Sequence, residues 1–142
     1  MTTQEIENQI VEEFALFEDW MDKYNYLIES GKSLKIIDPK YKDNSHLISG
    51  CQSKVWLYPE LKEGRVFFKA DSDAIITKGI VALLIKVVSG RSPEEIMNTD
   101  LFFIDRIGLK QNLSPTRSNG LLAMVKQMKL YAIAYNAKQR SK

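Results

Sequence analysis

The sequence predicts an α+β domain, with a small antiparallel sheet packed against several helices. Three observations carry that reading. Apolar residues recur at three- and four-residue spacings near both ends of the chain and again over 75–88. Two short β-rich runs lie close together in the middle, and internal repeats are absent. With 142 residues, 44% hydrophobic and 27% charged, the chain suits one domain with a substantial core, taken as residues 1–142.

Each element follows from its residues. Ile6, Ile10, Phe14, Phe17, Met21, Tyr24 and Ile28 mark one face of an amphipathic helix or helix pair. Thr2 with Glu5 reads as its capping box and Gly31 as its C-terminal stop. Lys32 to Ser49 is polar and broken by Pro39, so it reads as a long surface loop, with a short strand starting near His46–Ile48. Val55–Tyr58 and Arg65–Lys69, joined by PELKEG, read as a hairpin with a four-to-six-residue loop. Ile75–Val88 is the next helix, with Ile76, Ile80, Leu83 and Val87 on one face, opening at Ser72 or Asp73 and closing at Gly90. Ser92-Pro93-Glu94-Glu95 opens a short helix with Pro in its first turn and a capping box. Gly108 ends another short segment. Ser114-Pro115 introduces the last helix, with Leu121, Val125, Met128, Ala132 and Tyr135 inward.

Composition excludes several classes of chemistry. The longest apolar runs fall far short of the roughly 20 residues needed to cross a bilayer. The acidic start, MTTQEIENQIVEEF, has neither the basic region and apolar stretch of a secretory signal nor the basic character of a transit peptide, so the expected compartment is the cytoplasm. One cysteine cannot make an internal disulfide, and Cys51 with His46 falls short of a structural zinc set or a four-thiolate cluster. Sulfur chemistry here runs through Cys51 alone. The net charge of +2 hides an asymmetry: seven acids and no bases over 1–22, six bases and no acids over 117–142. These read as two solvated helix faces that lie beside each other and attract. The basic stripe lacks the aromatic-plus-basic pattern of an RNA-binding motif.

The strongest local feature is Ser49-Gly50-Cys51-Gln52-Ser53. A cysteine in a small, polar, glycine-flanked segment between two apolar runs belongs on a loop or strand end. Its acidity there depends on nearby cations, helix N-termini and burial. His46 lies five residues away with no evident residue to orient its imidazole, and reads as a loop histidine. Asp71-Ser72-Asp73 stands where a helix cap is wanted, so a further role for Asp73 is laid over capping. Arg117 falls in a first helical turn, where the helix dipole disfavours it, and so points to a specific partner. Trp20 and Trp56 read as core or core-rim aromatics.

Three motifs in order, GCQSKVW (Gly50–Trp56), DSDAIITKG (Asp71–Gly79) and LSPTRSNGL (Leu113–Leu121), resemble the SufE family of cysteine-desulfurase partners. Trp20, Lys23-Tyr24, Leu27-Ile28, Gly31 and Pro93-Glu94-Glu95-Ile96 support the resemblance, which runs from about residue 5 to 135. It implies a three-stranded antiparallel sheet with flanking helices, similar to the cluster scaffold IscU. It also implies a sulfur carrier for iron–sulfur cluster assembly. Cys51 is the implied acceptor of sulfane sulfur from a PLP-dependent, SufS-like desulfurase, which the carrier stimulates. The sulfur then passes to a SufBCD-like scaffold complex. Gly50, Gln52 and Ser53 are the implied supporting loop, Asp73 lies near it, and Arg117 contacts the partner or restrains the loop. PLP belongs to the desulfurase; this chain is expected to hold no cofactor or metal and to bind neither nucleic acid nor membrane. Its turnover is a transpersulfidation completed only with partners. His46 takes no role, Lys54 tunes thiol acidity or docking, and the basic tail, residues 138–142, extends past the matched region.

One thiol suits this reading independently, since a scaffold needs several thiolates to hold a cluster whereas a carrier needs one. Leu47-Ile48 is placed to anchor the cysteine loop and hide the thiol in the free protein. Two other readings stay open. A cysteine hydrolase needs His46 as base, and a non-covalent binding module using the basic last helix on nucleic acid needs no thiol and weakens steeply with salt.

Overall fold

The N-terminal amphipathic stretch is a helix pair. The structure, a computed structural model, describes residues 2–34, 37–48, 54–109 and 115–140, with side chains over 119–139 in the last segment. Helix α1 (Thr3–Ala15) opens with the expected capping box: Thr2 Oγ1 accepts from the Glu5 N–H at 3.1 Å and Glu5 Oε1 from the Thr2 N–H at 3.2 Å. The chain turns at Leu16–Glu18, and Asp19 caps α2 (Trp20–Lys32) by accepting from the Asp22 N–H at 2.9 Å. Phe14 meets the Tyr26 ring edge-on at 4.9 Å, and the Tyr26 hydroxyl donates to Glu13, closing the pair.

Gly31 does not stop α2; Ser33 is the cap, one residue past the helix end. Gly31 is small because α2 crosses α3 (Ile75–Val88) there. A Cβ on Gly31 would stand 3.0 Å from the Gly79 N, and a Cβ on Gly79 would stand 2.0 Å from the Leu27 carbonyl oxygen. Backbone touches backbone, so the two glycines fix how closely the helices approach. From α3, Ile80, Val81, Leu83, Leu84, Val87 and Val88 all face the core.

The hairpin is longer and its turn tighter than expected: β1 is Val55–Lys62, β2 is Arg65–Ser72, and only Glu63-Gly64 link them. Both linkers have positive φ, 51° and 78°, the geometry of a two-residue turn whose twist matches its strands. Pro59 sits inside β1 opposite Phe68 without breaking the ladder. The Leu57 N–H points away from β2 to the His46 carbonyl, and Pro59 shares that parity, so its missing N–H falls on the free edge. Among the described residues the sheet has two strands, where the resemblance implies three. The segment at His46–Ile48 contributes a single antiparallel bridge, Leu47 to Trp56, and Arg91 makes another with Val66 on the opposite edge.

Val55, Leu57, Val66, Phe68 and Ala70 put the inner face of the sheet into the core with α3. The capping box of Ser92 and Glu95 opens α4 (Pro93–Met97), and α5 (Phe103–Arg106) is followed by Gly108 at a φ of 76°. The last helix, α6 (Pro115–Arg140), buries Leu121, Met124, Met128 and Ala132, with Val125 and Tyr135 half-buried beside them. Its Lys129 donates to the Thr99 carbonyl just past α4 at 2.8 Å. Among the described residues, the acidic and basic ends do not pair as whole faces. Helix α1 packs on α3 and α5, while α6 packs on α4 and α3. No helix among the described residues is long and apolar enough to cross a membrane.

Candidate functional site

The chain on either side of the cysteine loop is drawn together at one end of the sheet. Ile48, buried, donates to the Val55 carbonyl at 2.9 Å, and Leu57 donates to the His46 carbonyl at 2.9 Å. Gly50, Cys51, Gln52 and Ser53 lie outside the described residues, so the structure defines the neck from which that loop leaves. On the far side, Asp73 holds Lys54 at both polar groups. Its carboxylate accepts from the Lys54 N–H at 3.0 Å, and its own N–H donates to the Lys54 carbonyl at 3.2 Å.

This corrects the reading of Asp73 as a helix cap. The residue at the N-cap of α3 is Ala74, without a side-chain cap, and Ser72 Oγ accepts from its N–H at 3.2 Å. The Asp73 carboxylate turns away from α3 toward β1, where it meets the backbone three residues after Cys51. Arg117 lies in the first turn of α6, and its side chain falls outside the described residues. Trp20 and Trp56 are half-buried, at the rim of the core.

A second cluster holds the arm that leads into the loop. Tyr41, in the short turn Pro39–Tyr41, stacks on Tyr58 of β1 with ring centroids 3.8 Å apart and an angle of 10°. A hydrogen bond with Tyr41 raises the Tyr58 hydroxyl to about 12. Lys42 pairs with Asp71 at 2.9 Å and stands 4.6 Å from the centre of the Trp56 ring. Asp71 also meets Lys78 of α3 at 3.5 Å and accepts from the Ser72 N–H at 2.8 Å. Burial raises the Asp71 carboxyl, but the Lys42 hydrogen bond, the Ser72 N–H and the two ammonium charges outweigh it, and the net displacement is downward.

His46 does have an orienting residue. Its Nδ1 lies 2.9 Å from Asp43 Oδ1, and Tyr41 and Tyr58 meet its ring edge-on. Hydrogen bonds from Ser45 and then His46 hold the Asp43 carboxyl below its ordinary value. The three-residue spacing of Asp43 and His46 was available as a signal in the sequence. Lys42 and Asp71, 29 positions apart, left none.

A cleft of about 380 Å³ between α2, α3 and β2, lined by Ser30, Ser33, Phe68, Lys86 and Ser89, includes none of the neck residues. Among the described residues no group of three or more His, Cys, Asp or Glu side chains is placed to hold a metal ion.

Residues 8–132 match the family described as SufE, the Fe–S metabolism associated domain. The chain belongs to the SufE family. SufE-like protein 1, chloroplastic/mitochondrial, of Arabidopsis thaliana is 40% identical over 131 residues, which is 92% of this chain and 35% of that protein. The chain therefore spans about a third of the plant relative, whose name places it in organelles. An uncharacterised SufE-like protein of Rhizobium etli is 39% identical over 127 residues, covering 86% of each. The solution structure of a hypothetical protein from Thermus thermophilus superposes with a TM-score of 0.75 at 20% identity, over 91% of this chain and 94% of that one. That likeness bears on the fold, a mixed helix-and-sheet domain. Membership of the family ties the chain to iron–sulfur metabolism.

Proposed function

We propose that this SufE-family chain is a sulfur carrier. Cys51 accepts sulfane sulfur from the persulfide of a PLP-dependent, SufS-like cysteine desulfurase, stimulates that enzyme by clearing its product, and delivers the sulfur to a SufBCD-like scaffold. The observation that carries the reading is the lone cysteine of the chain, set between Ile48 and Lys54, whose backbones are both tied to the end of the sheet. A lone thiol in a short segment between two anchored flanks suits transfer from a macromolecular donor, whereas a cavity would suit a small free substrate.

The chemistry needs no oxidant. The Cys51 thiolate attacks the terminal sulfur of the donor persulfide, the donor S–S bond breaks, and the donor cysteine leaves as thiolate. Cys51 then carries the persulfide, and a second thiolate removes the sulfur by the same exchange. On this reading Gly50, Gln52 and Ser53 shape the loop, Asp73 restrains its outgoing end, and Arg117 meets the partner. The pair of His46 with Asp43 supports the edge of the sheet and takes no part in the transfer.

Intact-protein mass after mixing with a PLP desulfurase and free cysteine, without reductant, tests the proposal. Wild type and His46→Ala should each gain the mass of one or more sulfur atoms, and Cys51→Ser none. Sulfur on Cys51→Ser, or on neither protein with several related desulfurases, would overturn the carrier reading. Loss in His46→Ala alone would favour base-assisted cysteine chemistry instead.

A further inference from the structure

The cleft between α2, α3 and β2 sorts its hydrogen-bonding groups by type. Its floor is apolar, with Leu34, Phe68 and Leu83 buried beneath it. Tyr26, Ser30 and Ser33 follow one another at i, i+4 and i+7 along α2 and its cap, so they share the face that forms one wall. Each has its proton engaged already. The Ser30 hydroxyl donates to the Tyr26 carbonyl at 2.9 Å, the Ser33 hydroxyl to the Ser30 carbonyl at 2.7 Å, and the Tyr26 hydroxyl to Glu13. That wall therefore offers lone pairs, with the Glu13 carboxylate beside Tyr26. The α3 side offers donors. Ser89 Oγ accepts from the Phe68 N–H at 3.0 Å, and its own proton meets no acceptor among the described residues. The Lys86 ammonium, on the last turn of α3, has neither an ion pair nor a hydrogen bond among the described residues.

We propose that this cleft binds a free α-amino acid with an apolar side chain. The ligand carboxylate meets Lys86 and the Ser89 hydroxyl, and its ammonium donates to the oxygens of Ser30 and Ser33 on the side where Glu13 supplies negative charge. The side chain rests on Leu34, Phe68, Ala82 and Leu83. A volume of about 380 Å³ lies within the range of roughly 300 to 1,000 Å³ that small-molecule sites occupy. A plain carboxylate would leave the acceptors of α2 unmatched, and a plain amine would leave Lys86 and Ser89 unmatched, so only a ligand with both groups satisfies both walls. None of the neck residues lines the cleft, so binding there is independent of the carrier reading.

The test is a titration of the isotope-labelled full chain with L-leucine, followed by backbone amide chemical shifts. Isocaproate, which lacks the amine, and isoamylamine, which lacks the carboxylate, are titrated beside it. L-Leucine should shift the amides of Ser30, Ser33, Phe68, Lys86 and Ser89 saturably, with a Kd of about 1 mM or tighter. Each analogue should bind about ten-fold more weakly, having lost one charge-assisted set of hydrogen bonds. Lys86 is exposed, so Lys86→Met should keep the fold; it should weaken L-leucine about ten-fold without weakening isoamylamine. Replacing both serines, Ser30→Ala with Ser33→Ala, should erase the preference for L-leucine over isocaproate. No saturable shift by about 10 mM, or shifts confined to another face, would overturn the site. Isocaproate binding as tightly as L-leucine, or Lys86→Met binding L-leucine like wild type, would overturn the amino-acid assignment. The assay holds no desulfurase and no sulfur donor, so its outcome is separate from that of sulfur transfer to Cys51.

Discussion

The crossing of α2 and α3 and the neck of the cysteine loop lie on the same small fold but are held in opposite ways. At the crossing, backbone meets backbone through Gly31 and Gly79, and the surrounding residues Leu27, Ile80 and Leu84 are fully or almost fully buried. At the neck, Lys54 and Asp73 are exposed, and a few hydrogen bonds do the holding. Close packing gives way only when atoms move out of each other's space. A hydrogen bond at the surface is worth about 1 kcal/mol net, because water replaces it when it opens. The molecule thus separates what keeps it folded from what holds the two flanks of the cysteine segment.

The sharpest way to break the packed region is Gly79→Ala. The new methyl would lie 2.0 Å from the Leu27 carbonyl oxygen, a backbone atom that cannot swing aside. The helices must separate, uncovering apolar surface along α3, and the expected loss is about 3 kcal/mol or more. Urea or thermal unfolding reads it directly. The fraction that still folds should accept sulfur at Cys51 at the wild-type rate; a stable Gly79→Ala protein would show that the crossing is looser than its backbone contacts require.

Asp73→Ala addresses the neck and should have the reverse profile. Losing the carboxylate bond to the Lys54 N–H should cost about 1 kcal/mol, a shift in Tm of only a few degrees for a chain of this size. Alkylation of Cys51 should change several-fold all the same, since the outgoing flank of the loop is no longer held. Asp73→Asn keeps an acceptor oxygen and should lie nearer wild type in both measurements. If Asp73→Ala destabilised the protein as much as Gly79→Ala, the division between the two regions would fail.

Much of this division was legible in the sequence, and the parts that were not share a cause. Local rules found the capping boxes at Thr2 and Ser92, the span of α3, and the inward face of α6 apart from Met124, because each depends on residues a turn or two apart. Gly31 misled, since a glycine near a helix end looks like a stop until the crossing at Gly79, 48 positions later, is known. Pro59 misled in the same way: it reads as a break until the parity of β1 places its nitrogen on an open edge. The glycine-flanked setting of Cys51 and the resemblance point to a cysteine loop whose residues lie outside those described. The cluster around Asp71 was invisible, because Lys42, Trp56, Asp71 and Lys78 meet only after the sheet and α3 have formed.

The smallest effect sharpens the comparison from inside the core. Glu7 on α1 is 1% exposed, and its carboxylate accepts from the Phe103 N–H of α5 at 3.4 Å, a long bond for a buried charge. Burial is the main reason its carboxyl is raised; the Phe103 N–H opposes the shift and nearby Asp100 adds to it. A raised acid in the folded state means that the native form binds the proton more tightly than the unfolded chain does. Stability from this group therefore falls as pH rises from the unfolded value, near 4.3, through the raised native value, and stays level above it. Glu7→Gln keeps a carbonyl acceptor for Phe103 and removes the titration. It should be more stable than wild type at neutral pH by about 0.5 to 1 kcal/mol, an advantage that fades once the medium falls below about pH 4. Asp71, shifted downward, contributes the opposite slope: its share is present above its unfolded value, near 3.9, and is lost as pH falls through its lower native value. That slope is common to both proteins, so the difference between their unfolding curves from pH 3 to pH 8 isolates Glu7. A variant less stable than wild type across that whole range would mean that the charged carboxylate is a net support for the contact between α1 and α5.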